Sequence, residues 1–364
     1  MVLGDHGEQD DDLVPLAPNG DAAVAEAPVG DAERRALGGG ITRDSGQPTP
    51  RLTAPTAPTV PPEAIAFQPE IALRPATLPP GGGWRRALWE LTGHRLSLVS
   101  ARERRLAEQI AVVRRPVTRP WTIAFMSNKG GVGKTTTCAS VGHVFASQRG
   151  DLVIALDANP DGGALVTRVG QETPRTISDL LAVTGPIERY ADVRAFTSQA
   201  PSRLQVLAAD RDPQAAASLG LNAYQQARAL VSIHYSLILL DCGTGLLADA
   251  ARAAVEMADQ LVIVASASLD AAEVSFRTVE WLERRGYEDK VRNAVAVINT
   301  LEDDRRVRLD VIESAFRGHC RAVVRVPRDS HLRLGTRIEL DALQRCTREA
   351  YVRLAAVLAE GFES

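Results

Sequence analysis

Ser127-Asn-Lys-Gly-Gly-Val-Gly-Lys-Thr-Thr136 is the stretch of sequence that decides the fold. An apolar run of strand length precedes it, and a segment with helical periodicity follows it. In that context a glycine-rich turn aims its backbone N–H groups inward, and these form an anion nest together with the positive end of the helix. We therefore predict that the loop binds phosphates through Gly130, Gly131, Val132, Gly133, Lys134, Thr135 and Thr136.

Two side chains of this loop suit a nucleoside triphosphate. Lys134 is a mobile point charge that can reach the β- and γ-phosphates, and the Thr135 hydroxyl is a hard oxygen ligand for Mg²⁺. The chain has 42 lysines and arginines, but only Lys129, Lys134 and Lys290 are lysines. Two of the three lie in the loop, where a bulky planar guanidinium would not fit the nest.

Lys129 makes the motif more specific. The segment Lys129-Gly-Gly-Val-Gly-Lys-Thr-Thr136 resembles the deviant Walker A motif of the MinD/ParA family of P-loop ATPases. The resemblance implies that ATP and Mg²⁺ are the cofactors and that two copies of the chain form a homodimer around ATP. It also implies that Lys129 reaches the phosphates held by the partner copy, where a second cation stabilises the charge of phosphoryl transfer.

From residue 121 onward the chain alternates short apolar runs with segments of helical period. Continuous apolar runs are typical of strands buried on both faces, and their alternation with helices favours a parallel sheet. We predict an α/β fold with a doubly wound, mostly parallel sheet and ligands at the carboxyl ends of its strands. The predicted strands are 121–127, 152–157, 204–208, 236–241, 260–265, 294–299 and 322–326, and the predicted helices are 135–149, 212–232, 248–257, 271–285, 305–316 and 343–359.

Aspartates follow two of the predicted strands. Asp241 ends the predicted strand 236–241, at the position where a Walker B aspartate orients Mg²⁺. The alternative is that Asp241 caps the next turn. Asp157 begins Asp157-Ala-Asn-Pro-Asp161, which resembles the family's switch I segment and implies that Asp157 lies near Mg²⁺. The predicted metal ligands are therefore Thr135, Asp157 and Asp241.

The switch segment departs from the family pattern at Asn159. The resemblance places there the aspartate that positions the attacking water, but an amide is a poorer acceptor for a polarised water and takes no proton. Asp161 is the candidate substitute, and we expect slow hydrolysis. The predicted catalytic residues are Lys129, Lys134, Asp157, Asn159 and Asp161.

Two positions are predicted to line the base of the nucleotide. Asn299 closes a strand at the place where the family commonly puts an asparagine against the adenine, and side-chain amides can pair with the edge of that base. Pro327 lies in Val326-Pro-Arg-Asp329, which resembles the loop on the other side of the base. A strand-end asparagine in an ordinary turn is an equally good interpretation of Asn299 taken alone.

Composition divides the chain into three parts. Residues 1–80 are rich in proline and acidic, so we predict a disordered tail, acting either as a spacer or as a docking segment. Residues 81–120 carry nine arginines against three glutamates and predict a basic amphipathic helical linker. That linker either packs on the domain edge or contacts an acidic partner, DNA or a membrane surface. Residues 121–364 form the predicted ATPase domain.

Several classes of protein are disfavoured. The net charge of −3 argues against a globally basic nucleic-acid binder, and the four widely spaced cysteines argue against zinc knuckles or a disulfide-rich secreted domain. The N-terminus lacks the apolar region of a signal peptide, and no apolar run is long enough for a transmembrane segment. We expect a cytoplasmic protein, recruited to the membrane only through a partner.

The switch segment, the helix around Trp84 and the tail resemble the ParA-like ATPases associated with actinobacterial type VII (ESX) secretion. The resemblance implies a molecular switch that binds ATP, hydrolyses it slowly and regulates a protein partner from the secretion machinery. Two alternatives stay open: a ParA-type DNA-partitioning ATPase that binds DNA without sequence preference, and a nucleotide-bound scaffold without hydrolysis. The arginines available for DNA are diluted by glutamates, which weakens the first alternative.

Overall fold

The structure is a computed structural model, in which the described residues are 90–91, 99–159, 163–210, 212–244, 249–301 and 306–363. All described residues lie in one compact unit of the chain, Arg74–Ser364. The predicted tail 1–80, the helix around Trp84 and Asp161 lie outside the described residues.

Within the described residues, the fold is built on an eight-stranded sheet with the strand order β3-β4-β2-β5-β1-β6-β7-β8. Every pairing is parallel except that of the edge strand β3 with β4. The predicted doubly wound α/β fold is confirmed. The strands are β1 (Trp121–Met126), β2 (Val153–Ala158), β3 (Ser198–Gln199), β4 (Gln205–Leu207), β5 (Leu237–Cys242), β6 (Gln260–Ser266), β7 (Val295–Asn299) and β8 (Ala322–Val326).

Helices cover both faces of the sheet. Alternate residues of one strand face opposite cores: Ile123 and Phe125 of β1 pack into one core, and Ala124 and Met126 pack into the other. Both faces are therefore apolar, which explains the continuous apolar runs. The helices are α1 (Ala101–Val113), α2 (Lys134–Gln148), α3 (Leu165–Val169), α4 (Ile177–Leu181), α5 (Tyr190–Arg194), α6 (Pro213–Ser218), α7 (Leu221–Ser232), α8 (Asp249–Met257), α9 (Leu269–Arg284), α10 (Glu288–Arg292), α11 (Leu309–Arg317), α12 (Ser330–Arg333) and α13 (Arg345–Ala359), with two 3₁₀ turns at Leu340–Ala342 and Glu360–Glu363.

The described end of the predicted linker is helix α1, which packs against α13. Its first turn is closed by a capping box between Ser100 and Glu103. Its end is held by Arg149, whose Nη1 donates to the carbonyl of Val113 at 2.8 Å. The same guanidinium is paired with Asp151 through two hydrogen bonds of 2.8 and 2.6 Å. Helix α1 is thus fixed to the sheet domain.

Two sequence-based predictions about elements need correction. Residues 212–232 were predicted as one helix but form α6 and α7, because Leu219 and Gly220 between them have extended backbone. The three short helices α3 to α5 and the edge strand β3 were not predicted, since elements of two to five residues show no periodicity. Among the described residues, no helix combines the length and the hydropathy that a membrane crossing requires.

Candidate functional site

The loop between β1 and α2 has the backbone geometry of an anion nest. Gly131 and Gly133 have φ angles of +75° and +90°, in the left-handed region that other residues rarely adopt. A Cβ on Gly133 would also lie 2.8 Å from the Asn299 amide nitrogen. Gly133 precedes α2 and provides no side-chain cap, so the first N–H groups of the helix have no side-chain acceptor from this position.

A cavity of about 470 Å³ opens over this loop at the carboxyl edge of the sheet. The Lys134 side chain lies at its floor, in a residue only 8% exposed, and Thr135 and Thr136 line the same floor. The opposite wall comes from the segments after β7 and β8 and includes Pro327. Strand crossovers at this edge are the usual ligand site of a doubly wound sheet.

Two carboxylates meet beside the loop because their strands are neighbours. Asp157 of β2 and Asp241 of β5 are paired in parallel register, and they are 0% and 1% exposed. Asp157 accepts hydrogen bonds from the N–H groups of Asn159 at 3.2 Å and Leu165 at 3.0 Å. Neither carboxylate oxygen of Asp241 has a hydrogen-bond partner among the described residues.

Burial governs the protonation of this pair. It raises the pKa of Asp157, and the charge of Asp241 raises it further. Burial also raises the pKa of Asp241, while the nearby Thr135 hydroxyl and Lys134 ammonium act in the opposite direction. Two neighbouring buried carboxylates, one of them with unsatisfied oxygens, are unfavourable in the charged form without a cation. The electrostatics of the site therefore favour a bound cation.

The donor set fits Mg²⁺ held together with phosphates. The Thr135 hydroxyl and the Asp241 carboxylate are hard oxygen ligands near each other, and the carboxylate oxygens are unpartnered among the described residues. No group of three His, Cys, Asp or Glu suitable for a metal occurs in the described part of the chain. Mg²⁺ usually takes one or two carboxylates and completes its shell with phosphates and water.

Gly163, which follows the switch segment, lies against Asp157. A Cβ on Gly163 would lie 1.9 Å from a carboxylate oxygen of Asp157, so the backbone there lies directly against the carboxylate. Asn159 is half-buried, and its N–H is directed to Asp157. The structure thus brings Asp157 and Asn159 together at the site, while Asp161 lies outside the described residues.

Lys129 lies on the rim of the site in an ion pair within the same chain. Its ammonium group pairs with the carboxylate of Asp270 at the start of α9. The Lys129 side chain is 33% exposed and that of Asp270 is 76% exposed. The pair is therefore accessible to solvent and weak enough to exchange.

Asn299 is buried against the loop. Its amide nitrogen donates to the carbonyl of Val132 at 2.8 Å and to the Thr137 hydroxyl at 3.1 Å. Its amide oxygen is buried and has no hydrogen-bond partner among the described residues. Both N–H donors are thus directed at the loop and its helix, and the amide oxygen is the acceptor left without a partner among the described residues.

The model of the AAA domain family matches residues 121–274. The ESX-1 secretion-associated protein EspI of Mycobacterium tuberculosis, from strains CDC 1551 / Oshkosh and ATCC 25618 / H37Rv, is 34% identical over 284 residues. That match covers 77% of this chain but 42% of the relative, so the chain spans less than half the length of the curated relatives it matches.

Solved structures show the same fold. The septum site-determining protein MinD of Pyrococcus horikoshii OT3, complexed with Mg-ADP, has a TM-score of 0.53 at 18% identity over 65% of this chain and 94% of its own. A ParA family ATPase of Chlorobium tepidum TLS has a TM-score of 0.54 at 18% identity over 65% of this chain and 98% of its own. The chain has the fold of the MinD and ParA ATPases. The resemblance to ParA-like ATPases associated with ESX secretion is supported by the match to EspI and by this fold, and the MinD structure itself contains Mg-ADP.

Arg168 is a cationic residue of this site that the sequence did not identify. Arg168 of α3 lines the nucleotide cavity together with the loop glycines. Its Nη1 donates to the Thr336 carbonyl at 3.4 Å, and its Nε is buried without a partner among the described residues. Arg168 also lies close enough to Asp241 to lower the pKa of that carboxyl. The sequence feature that could have identified Arg168 is its position as the first lysine or arginine after the switch segment.

Proposed function

We propose that the chain is a molecular switch that binds Mg²⁺-ATP in this cavity and regulates a protein partner. The observation that carries the proposal is the conjunction of an anion nest with the buried Asp241 carboxylate, which lacks a hydrogen-bond partner among the described residues. A phosphate chain satisfies the first feature and a divalent cation satisfies the second.

Different residues of the chain bind the phosphates and the cation. The N–H groups of the loop and Lys134 hold phosphate oxygens, and Thr135 and Asp241 hold the cation. Asp157 is fixed by the N–H groups of Asn159 and Leu165, so it orients water beside the cation. Bound Mg²⁺ neutralises the charge that develops on the γ-phosphate during transfer.

Adenine fits the opposite end of the cavity. The amide nitrogen of Asn299 is occupied by the loop, so its amide oxygen is the atom that accepts from the exocyclic amine of adenine. Pro327 lines the cavity wall and offers an apolar surface to the base. This arrangement favours adenine over guanine, whose corresponding position is itself an acceptor.

Slow hydrolysis follows from Asn159. An amide beside Asp157 orients water less strongly than a carboxylate and cannot take its proton. Asp161 is the proposed substitute, and Asp161→Ala should then reduce turnover further. Unchanged turnover in that variant would remove Asp161 from the mechanism.

The ion pair of Lys129 supports an ATP-dependent dimer. Lys129 is solvent-accessible, and its partner Asp270 is largely exposed, so little free energy holds the lysine within its own chain. In the proposed dimer Lys129 leaves Asp270 and binds the phosphates of the other copy. ATP carries more negative charge than ADP. ATP rather than ADP therefore favours the movement of Lys129 from Asp270 to the phosphates of the other copy.

The partner is proposed from the curated relatives. EspI is named as an ESX-1 secretion-associated protein, and the matched part covers 42% of its length. We therefore propose a secretion-related protein as the partner and a switch that is recruited to the membrane through it. The cytoplasmic location stays a prediction of the sequence.

The arginines of α9 give little support to the DNA-partitioning alternative. Arg277 and Arg284 pair with Glu273 and Glu280 on the same helix, at 2.7 and 3.2 Å. Phosphate binding by either arginine would have to replace these pairs. Retention on duplex DNA at low salt, dependent on ATP, would favour this alternative.

Calorimetry and sizing with two lysine variants test the proposal. Lys134→Ala should lose the heat of Mg²⁺-ATP binding, whereas Lys129→Ala should bind ATP and fail to dimerise. Wild-type protein should elute as a dimer with ATP or a slowly hydrolysed analogue and as a monomer with ADP. No heat in the wild type would overturn the binding site, and a size independent of nucleotide would overturn the dimer. An ATPase rate at background level, with binding intact, would identify the scaffold alternative.

A further inference from the structure

A second cavity, of about 940 Å³, lies outside the nucleotide site, between α1, α13 and the end of β8. Five exposed arginines line it, and we call it the arginine groove: Arg102, Arg105, Arg325, Arg328 and Arg353. The only carboxylate in its described lining is Glu349. The lining therefore carries a formal excess of positive charge, which is focused by the walls of a cleft.

The arginines differ in how far their charge is already neutralised. Arg102 is held by Glu349 through hydrogen bonds of 2.9 and 2.6 Å, and Arg325 pairs with Glu313. Arg353 donates to the carbonyl of Arg325 at 3.1 Å but pairs with no carboxylate in the described part of the chain. Arg105 makes no ion pair with any described residue. The guanidinium groups of Arg105 and Arg353 are thus open to an external anion.

The rest of the lining is apolar. Leu106, Leu309 and Pro327 are half-buried, and Ala350 is buried. Phosphate backbones and inorganic anions present no apolar groups to such a wall, whereas a peptide presents both carboxylates and side-chain carbon. The volume lies within the range of about 300–1,000 Å³ found for ligand pockets. It suits a short peptide rather than the convex surface of a DNA duplex.

We propose that the arginine groove binds an acidic, partly apolar segment of a partner protein. Arg105 and Arg353 pair with its carboxylates, since a guanidinium binds a carboxylate through two parallel hydrogen bonds. Leu106 and Leu309 contact its apolar side chains. This proposal adds the chemistry of the partner to the proposed switch function. Only the regulatory role of the partner rests on that proposed function.

The groove borders the nucleotide cavity. Thr300, Pro327 and Arg328 line both cavities, so one short stretch of chain after β7 and one after β8 separate the two sites. This places the peptide site beside the base end of the nucleotide site.

The test uses the full chain and a fluorescent short peptide of alternating glutamate and leucine, with a lysine–leucine peptide as the charge control. Arg105→Gln/Arg353→Gln should weaken binding roughly tenfold, because each exposed pair contributes up to about 1 kcal/mol. Arg277→Gln/Arg284→Gln removes the same charge from α9 and should leave the affinity unchanged. Cys346, which lines the groove and is exposed, should be alkylated more slowly when the acidic peptide is bound.

Several results would overturn the proposal. They are equal weakening in both double variants, no protection of Cys346, or duplex DNA binding with the same dependence on Arg105 and Arg353. A further variant of the full chain replaces Asp10, Asp11 and Asp12 by asparagine. If only that variant binds the peptide, the occupant is the chain's own acidic stretch and not a partner. Calorimetry with Mg²⁺-ATP on each variant separates a failure of the groove from a failure of the nucleotide site.

Discussion

Replacing Asp241 by asparagine should stabilise the nucleotide-free protein while removing a ligand of Mg²⁺. The carboxylate is buried, lies in register beside Asp157 and has no hydrogen-bond partner among the described residues. Burial raises the pKa of this carboxyl, so its charged form costs free energy in the folded protein. Asparagine has nearly the same shape without the charge. The free energy of unfolding near pH 8 should therefore rise by about 1–3 kcal/mol, which raises Tm by about 2–4 °C per kcal/mol.

The pH dependence of this effect has a definite sign. A carboxyl whose pKa is raised by folding contributes fully to the free energy of unfolding when the pH is below its ordinary pKa of 3.8. That contribution is lost as the pH rises through the raised pKa of about 6. Asp157, whose pKa is also raised, acts in the same direction. The Tm difference between Asp241→Asn and wild type should thus be smallest near pH 4 and grow toward pH 8. Buried His143, whose pKa is lowered to about 4, also titrates in acid but is common to both proteins.

Thermal melts in EDTA at several pH values, followed by melts with Mg²⁺-ADP, measure this effect. Mg²⁺-ADP should raise Tm of the wild type more than that of Asp241→Asn. Asp289→Asn is the matched control, because its carboxylate is 91% exposed and its loss should leave the Tm difference from wild type small and nearly independent of pH. A lower Tm of Asp241→Asn than wild type near pH 8 without Mg²⁺ would refute the reasoning, as would a difference that does not change with pH.

Three further substitutions test other parts of the structure. Arg149→Met removes a buried guanidinium that holds the end of α1, and urea denaturation should show a loss of about 3 kcal/mol; a loss near zero would contradict the docking of α1. Gly163→Ala puts a Cβ 1.9 Å from the Asp157 carboxylate, so Tm and the heat of Mg²⁺-ATP binding should both fall. If both stay at wild-type values, the backbone does not lie against that carboxylate. Asp270→Asn removes the ion pair of Lys129, and sedimentation should show ATP-dependent dimers at lower protein concentration; weaker dimers would mean that Asp270 supports the dimer instead.

The sheet could be predicted because its central strands are buried on both faces and therefore read as continuous apolar runs. The same argument fails between β2 and β4, where α3, α4 and α5 are five residues each and too short to show a period. It also fails at Leu219 and Gly220, because Ala-rich segments on either side have the same helical period while the backbone between them is extended.

The phosphate loop and the carboxylates could be predicted because each is set by a contiguous segment or by the end of a strand. Arg168 could not, since its approach to the cavity depends on how the chain returns over Asp157 at Gly163. The two partners of the Asn299 amide nitrogen were likewise invisible, because they are 167 and 162 residues away in the chain.

The wall formed by Thr300, Pro327 and Arg328 has a thermodynamic consequence. A ligand that shifts these residues from one side changes the free energy of binding on the other side. By linkage, if an adenine nucleotide alters the affinity of the arginine groove by some factor, an occupant of the groove alters nucleotide affinity by the same factor. A protein seated there would thus change the ratio of the affinities for ATP and ADP by the same factor by which replacing ADP with ATP changes the affinity for that protein.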